Sequence, residues 1–327
     1  MFEGRRILVT GGTGSWGYEL VKQLLPQNPE EIIVFSRNES SQVAMERTFE
    51  DPRLSFRIGD IRDREALAKA CEEVDLVFHL AALKHVPVCE DQPYEALKTN
   101  VIGTQNVIEA AIANKVERVI YISTDKAANP SNFYGMTKAI GEKLIVCANL
   151  LRSDTKFVCV RGGNVLGTNG SVIHLFMNQI ANKNQIGLTH RNMTRFFLTL
   201  EDAIRLLFKA TAESVGGEIF VMTMPTCRIV DLAEVLMDAM GKKVEMVETG
   251  VRPGEKIHEI LLTEYESANT VVYDEQYLVI LPTLDIPGLR ETYASYPRVS
   301  FSSFSSSQSL MSKAEIRQML VRGGFLP

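Results

Sequence analysis

Short, nearly unbroken apolar runs alternate along the first half of the chain with longer stretches of helical spacing. The runs at 7–10, 31–35, 54–58, 75–81, 119–123 and 157–160 predict strands. The stretches at 18–25, 65–71, 100–114 and 134–150 predict helices between them. Strands that are apolar on both faces belong to a parallel sheet covered on both sides. Right-handed crossovers then give an α/β fold with a doubly wound parallel sheet.

The pattern changes after Arg161, where strands become fewer and glycine-rich loops separate the helices. Thr199-Leu-Glu-Asp202 starts a helix through 212, residues 218–222 return to the sheet, and 231–240 form an amphipathic helix. Residues 1–160 read as one domain, to which parts of 195–222 return. Residues 161–327 read mainly as a smaller C-terminal lobe over the carboxyl ends of the strands. The serine-rich stretch 301–308 reads as a linker, and Ser312-Lys-Ala-Glu315 caps a final helix.

Composition narrows the classes. The chain has 327 residues, 45% hydrophobic and 23% charged, enough for a full core without a staple. Lys+Arg is 35 against Asp+Glu 40, a net charge of -5, which argues against nucleic acid as a partner because that needs a basic face. The five cysteines are widely spaced with no Cys-x-x-Cys, so they read as reduced, packed thiols, and no metal site is expected. There is no signal pattern, and no apolar run approaches the ~18 residues of a membrane span. A cytoplasmic protein without a membrane partner is expected.

The first strand runs into Gly11-Gly-Thr13-Gly14-Ser15-Trp16-Gly17 and then a helix. Gly-x-x-Gly-x-x-Gly at the first strand–helix junction lets a backbone approach a pyrophosphate, with helix N–H groups pointing at it. This predicts a dinucleotide site of the Rossmann type. The second strand ends in Ser36-Arg37-Asn38 rather than in an acid. Arg37 suits a 2′-phosphate and Ser36 can donate to it, so NADP is the expected cofactor. Asp60, followed by Ile61, is placed either to reach the adenine amine or to cap a turn.

Tyr134 and Lys138 are four residues apart, on one helix face. A nearby ammonium favours the phenolate of a tyrosine whose ordinary pKa is ~10. Such a pair also occurs on plain surface helices. The fifth strand ends Ser123-Thr124-Asp125-Lys126, where ligands of open α/β sheets bind. Asp125 and Lys126 there are either a general acid and base or a loop ion pair. An amine that acts as a base must have its pKa brought well below the ordinary ~10.4.

Four blocks together resemble the extended short-chain dehydrogenases/reductases of polysaccharide biosynthesis: Gly11 to Gly17, Ala81-Ala82-Leu-Lys84-His-Val-Pro87, Ser123 to Pro130, and Tyr134-x-x-x-Lys138. Within them the chain is most similar to the soluble UDP-N-acetylglucosamine 4,6-dehydratases, and Asp125-Lys126 is the discriminating pair. The likeness continues through Arg161-Gly-Gly-Asn164, Met193-Thr-Arg195 and Arg252-Pro-Gly-Glu255-Lys256. It implies an NADP contact set that adds Leu80, Ala81, Ala82, Lys84, Ser123, Tyr134 and Lys138 to the loop glycines, Ser36–Asn38, Asp60 and Ile61. It also implies a reaction. Tyr134, supported by Thr124 and Lys138, takes the O4 proton as hydride leaves C4. Lys126 removes the C5 proton, Asp125 protonates the departing C6 oxygen, and hydride returns to C6. Lys84, Asn164, Arg195, Arg252 and Glu255 would hold the UDP-sugar, and the protein would be a homo-oligomer, a dimer or hexamer. A UDP-sugar 4-epimerase of the same fold is the alternative, and a non-catalytic NADP-sensing protein a remote one.

Overall fold

The structure, a computed structural model, describes residues 1–327 except 152 and 169. Nine strands form the main sheet: β1 (Arg6–Thr10), β2 (Glu31–Ser36), β3 (Leu54–Ile58), β4 (Leu76–His79), β5 (Arg118–Thr124), β6 (Lys156–Gly162), β7 (Ile219–Met222), β8 (Thr270–Val272) and β9 (Tyr277–Ile280). Their order across the sheet is 8-9-7-6-5-4-1-2-3. All pairs from β3 to β7 are parallel, while β9 and β8 add an antiparallel edge. The order reverses between β1 and β4, so a crevice opens there at the carboxyl ends of the strands. The core of this layer is the apolar runs themselves: Ile7, Leu8, Val9, Ile32, Ile33, Val34, Val77, Phe78 and Val119 are fully buried.

Each strand expected from the sequence is present within about two residues, the uncertainty inherent in such boundaries. The helix Glu39–Phe49 is among those not foreseen. Asn38 caps it by accepting from the Ser41 N–H at 2.9 Å, but only Gln42 and Met45 on it are buried, so its apolar stripe is faint. The predicted return of 218–222 is found in β7, which pairs with β6.

A second core gathers Ile173, Phe176 and Ile180 of one helix (Val172–Asn182) with Leu232, Ala233 and Leu236 of another (Ile229–Ala239). The last helix, Lys313–Arg322, buries Ile316, Met319 and Leu320 in that same core. Its capping box at Ser312 and Glu315 is formed as the sequence predicts. The serine-rich stretch is not a free linker. Phe304–Ser305 pairs with Ile260–Leu262, and Ser306 is fully buried. Serine side chains are short enough to bury a hydroxyl against backbone, which composition alone does not reveal.

Arg161 ties the layers together. Fully buried, its guanidinium binds Glu142 (3.0 and 2.6 Å), Glu266 (3.0 and 2.8 Å) and the Leu261 carbonyl (2.9 Å). The cation outweighs burial and holds the Glu266 carboxyl below its ordinary range.

Candidate active site

The crevice at the switch between β1 and β4 widens into a cavity of about 890 Å³ that reaches the second core. Every residue named from the sequence as a site residue lines it except Gly17 and Asp125.

The glycine loop meets the demands of a dinucleotide. Gly11 has φ +70°, and a Cβ on it would stand 2.8 Å from the Ala81 Cα. A Cβ on Gly17 would stand 2.1 Å from the Gly12 carbonyl oxygen, so Gly17 serves helix-on-loop packing. The helix Ser15–Leu24 begins at Gly14 with no side-chain cap. The hydroxyls of Ser123 and Thr99, both on the cavity wall, are buried without a partner among the described residues. An uncapped helix start and orphaned hydroxyls facing one cavity suit a nicotinamide dinucleotide.

Behind the loop lies a buried polar chain that the sequence reading misses. The Thr10 hydroxyl meets His79 Nδ1 at 2.8 Å, and His79 Nε2 meets the Thr104 hydroxyl at 3.0 Å. Thr104 spends its one hydrogen on the Asn100 carbonyl (2.8 Å), so it accepts from Nε2–H, and Nδ1 accepts from Thr10. Burial, with Lys138 nearby, brings the His79 pKa down to about 3, so the ring is neutral. Asn100, on a wide helical turn, exchanges hydrogen bonds with Leu83 and donates to Thr137 (3.0 Å), whose hydroxyl donates to the Tyr134 carbonyl. The only sequence signal is an Asn and a Thr four residues apart on a predicted helix.

Tyr134 and Lys138 stand on the helix Phe133–Ala148, started by Asn132, whose side chain accepts from the Gly135 N–H at 2.8 Å. Burial pushes the Tyr134 phenol up to about 12, against the pull of Lys126 and a hydrogen bond with Thr124. Among the groups acting most strongly on Tyr134 the cation is Lys126. The Lys138 ammonium lies over the Tyr121 ring, and burial brings its pKa down to about 7.

Asp125 is fully buried. One oxygen receives the Thr124 hydroxyl and the Lys126 ammonium, each at 2.9 Å; the other has no partner among the described residues. Lys126 Nζ also reaches Asn164 at 3.4 Å and Glu259 at 3.8 Å. Burial works against its charge, yet Asp125 and Glu259 prevail and its pKa is raised. The lowering that a basic amine needs is therefore not met in this state.

Arg252 and Glu255 border the cavity on a block docked to the loop ahead of Tyr134. Ser131 and Asn132 donate to the Gly254 carbonyl (3.0 and 2.9 Å), and Lys256 donates to the Ala128 and Asn129 carbonyls. Arg195 is mostly enclosed, donating to the Thr194 and Ile257 carbonyls at 2.7 and 3.1 Å. Burial lowers the pKa of Lys84, which lines the cavity beside the glycine loop. Met193 belongs to the second core and also lines the cavity, and Phe196 is core.

A doubly wound sheet with a glycine-loop crevice and a Tyr-x-x-x-Lys helix defines an extended short-chain dehydrogenase/reductase. The chain belongs to the polysaccharide biosynthesis protein family, whose model matches residues 7–281. It is a nicotinamide-dependent enzyme that modifies nucleotide sugars. It is 46% identical over 287 residues to an uncharacterized membrane protein of Methanocaldococcus jannaschii (85% of this chain, 86% of that one). It is 42% identical over 290 residues to the UDP-N-acetylglucosamine 4,6-dehydratase (inverting) of Campylobacter jejuni (88% and 85%). It is 39% identical over 302 residues to the UDP-glucose 4-epimerase of Rickettsia canadensis (90% and 87%). Among solved structures, Pen from Bacillus thuringiensis superposes with a TM-score of 0.94 at 38% identity, covering 100% of both chains. The dTDP-glucose 4,6-dehydratase DesIV from Streptomyces venezuelae, solved with NAD, gives 0.70 at 24% (98% of both). No helix among the described residues is long and apolar enough to cross a membrane.

The expectation of NADP is corrected. The structural relatives described with a cofactor hold NAD, DesIV and a UDP-glucuronic acid 4-epimerase from Bacillus cereus among them. The local chemistry explains why Arg37 misleads. Its side chain is 56% exposed and faces the Asp60 carboxylate at 3.8 Å. Although burial opposes it, Arg62 keeps Asp60 below the ordinary carboxylate range, so a 2′-phosphate would meet an anion beside its cation.

Proposed function

We propose that this protein is a UDP-N-acetylglucosamine 4,6-dehydratase that works with NAD. The observation that carries the reading is a second proton-transfer group, Lys126, on the same cavity wall as Tyr134. The Campylobacter relatives of that name support it. When bound, the nicotinamide supplies the hydride acceptor at C4 and the donor at C6. Tyr134 takes the O4 proton, with the Lys126 cation favouring its phenolate, and the resulting ketone acidifies C5–H. Lys126 becomes a base by passing a proton to Asp125 across their 2.9 Å hydrogen bond, which leaves the net charge of the pair unchanged. The free amine takes the C5 proton. The new ammonium then protonates the C6 oxygen, which leaves as water, and the proton returned to C5 balances the one taken from O4. Both transfers fall to Lys126 because Asp125 does not border the cavity. Arg195, Arg252, Glu255, Asn164 and Lys84 would bind the UDP-sugar.

A second reading, a UDP-sugar 4-epimerase, is favoured by the seclusion of Asp125, the raised pKa of Lys126 and the Rickettsia relatives. It needs only Tyr134 and Lys138. One experiment decides. The protein is incubated with UDP-N-acetylglucosamine and NAD in D2O, and the product is read by NMR. The dehydratase yields a 4-ketone, a C6 methyl group and deuterium at C5, with no build-up of reduced cofactor. A product that keeps its C6 hydroxyl and is inverted at C4 establishes the epimerase instead.

A further inference from the structure

Glu259 has no part in the reaction described so far, yet it stands at the centre of the buried charges. It is 3% exposed and precedes the strand Ile260–Leu262. Its carboxylate lies 3.8 Å from Lys126 Nζ and 3.7 Å from Arg195 Nε. Its second oxygen is buried without a hydrogen-bond partner among the described residues. The backbone of Glu259 is clamped on both sides by one residue of the serine-rich stretch. Its N–H donates to the Ser306 hydroxyl at 2.9 Å, and its carbonyl accepts from the Ser306 N–H at 2.8 Å. The same hydroxyl meets the Thr194 hydroxyl at 2.7 Å and the Thr194 carbonyl at 3.2 Å. Glu259 and the strand that carries Arg195 are therefore held by one buried serine.

We propose that Glu259 is a positioning residue that holds the Lys126 ammonium and the Arg195 guanidinium as one charged unit, with Ser306 as its clamp. The inference rests on the reading above for the tasks of Lys126 and Arg195. It explains how a proton-transfer group stays at the cavity wall next to a diphosphate-binding cation: the carboxylate between them offsets their repulsion. Five ionisable groups face Lys126. Asp125 comes from its own turn, Tyr134 from the following helix, Arg195 from the strand Thr194–Leu198, and Glu259 and Lys256 from the segment before Ile260. Asp125 and Glu259 favour the ammonium, whereas burial and Arg195 oppose it. Without the Glu259 charge, Asp125 alone works against burial and two neighbouring cations.

The test reads the amine itself. Wild type, Glu259→Gln and Glu259→Asp are labelled competitively with acetic anhydride across pH, and acetylation of the Lys126 peptide is quantified by mass spectrometry. In Glu259→Gln the Lys126 titration should fall by about 1–2 pH units, and in Glu259→Asp by less. Inhibition by UDP should weaken as Arg195 loses its anchor. If the Gln variant lacks a cooperative melt, the Asp variant is judged by the same criterion. A Lys126 titration that stays in place in the folded variant overturns the proposal, even if stability and UDP binding both drop. The labelling does not depend on which product forms, so a C4 epimer would end the dehydratase reading without touching this result.

Discussion

The buried Lys138 ammonium lies 3.9 Å from the centre of the Tyr121 ring, at the inner wall of the cavity. Burial lowers its pKa to about 7, with Glu142 opposing. The unfolded chain keeps that proton up to about pH 10.4. Between these values the unfolded state binds more protons, so stability rises with pH across the window, and the full cost of the buried charge is felt below pH 7. Lys138→Met should therefore stabilise the fold by about 2 kcal/mol at pH 6, after the loss of the ring contact, and by little at pH 10. Turnover should fall at least about 100-fold. Urea unfolding at the two pH values checks this; a pH-independent difference would refute the assignment.

Gly14 and Gly17 should separate binding from packing. The Cβ of Gly17→Ala would meet the Gly12 backbone at 2.1 Å, so the helix must move, at about 1–3 kcal/mol. At Gly14 the nearest contact would be 3.4 Å, an ordinary distance, so Gly14→Ala should stay within about 1 kcal/mol of wild type. Both should weaken NAD, Gly14→Ala because it places a methyl group where the backbone faces the cavity. Denaturant titrations beside NAD titrations distinguish the two. Equal stabilities would contradict the packing argument.

Arg161→Met should be severe. It leaves buried Glu142 and half-buried Glu266 without their cation, a loss of about 3–5 kcal/mol at pH 8. The pH dependence should also change sign. In wild type Arg161 lowers the Glu266 pKa, so this contribution is present at neutral pH and fades as pH falls through the lowered value. In the variant the stranded carboxyls shift upward, so the deficit should shrink toward pH 5. Urea midpoints at pH 5 and pH 8 provide the measurement, and a deficit that grows in acid would contradict it.

Lys126 and Arg37 show where a residue's identity stops informing. Lys126 could be recognised as a chemical group from its place after a strand. Its charge state depends on Glu259, which lies 133 positions along the chain. Arg37 offered a cation, but whether it meets a phosphate depends on Asp60, delivered by the neighbouring strand. The serine-rich stretch looked like solvent-loving chain, yet Ser306 is buried because Thr194 and Glu259 present backbone to it.

Local pattern determined the alternating strands and helices, the glycine turn, and the face shared by Tyr134 and Lys138. These follow from steric and hydrophobic rules that act over a few residues. Only the tertiary structure decided that Asp125 is walled off from the cavity and that Lys126 holds its proton. It alone brought Glu259 between two cations and set the last helix on the second core of its own chain. These are matters of desolvation and of charges meeting across distant segments, and such energies depend on distances in space that no spacing along the chain encodes.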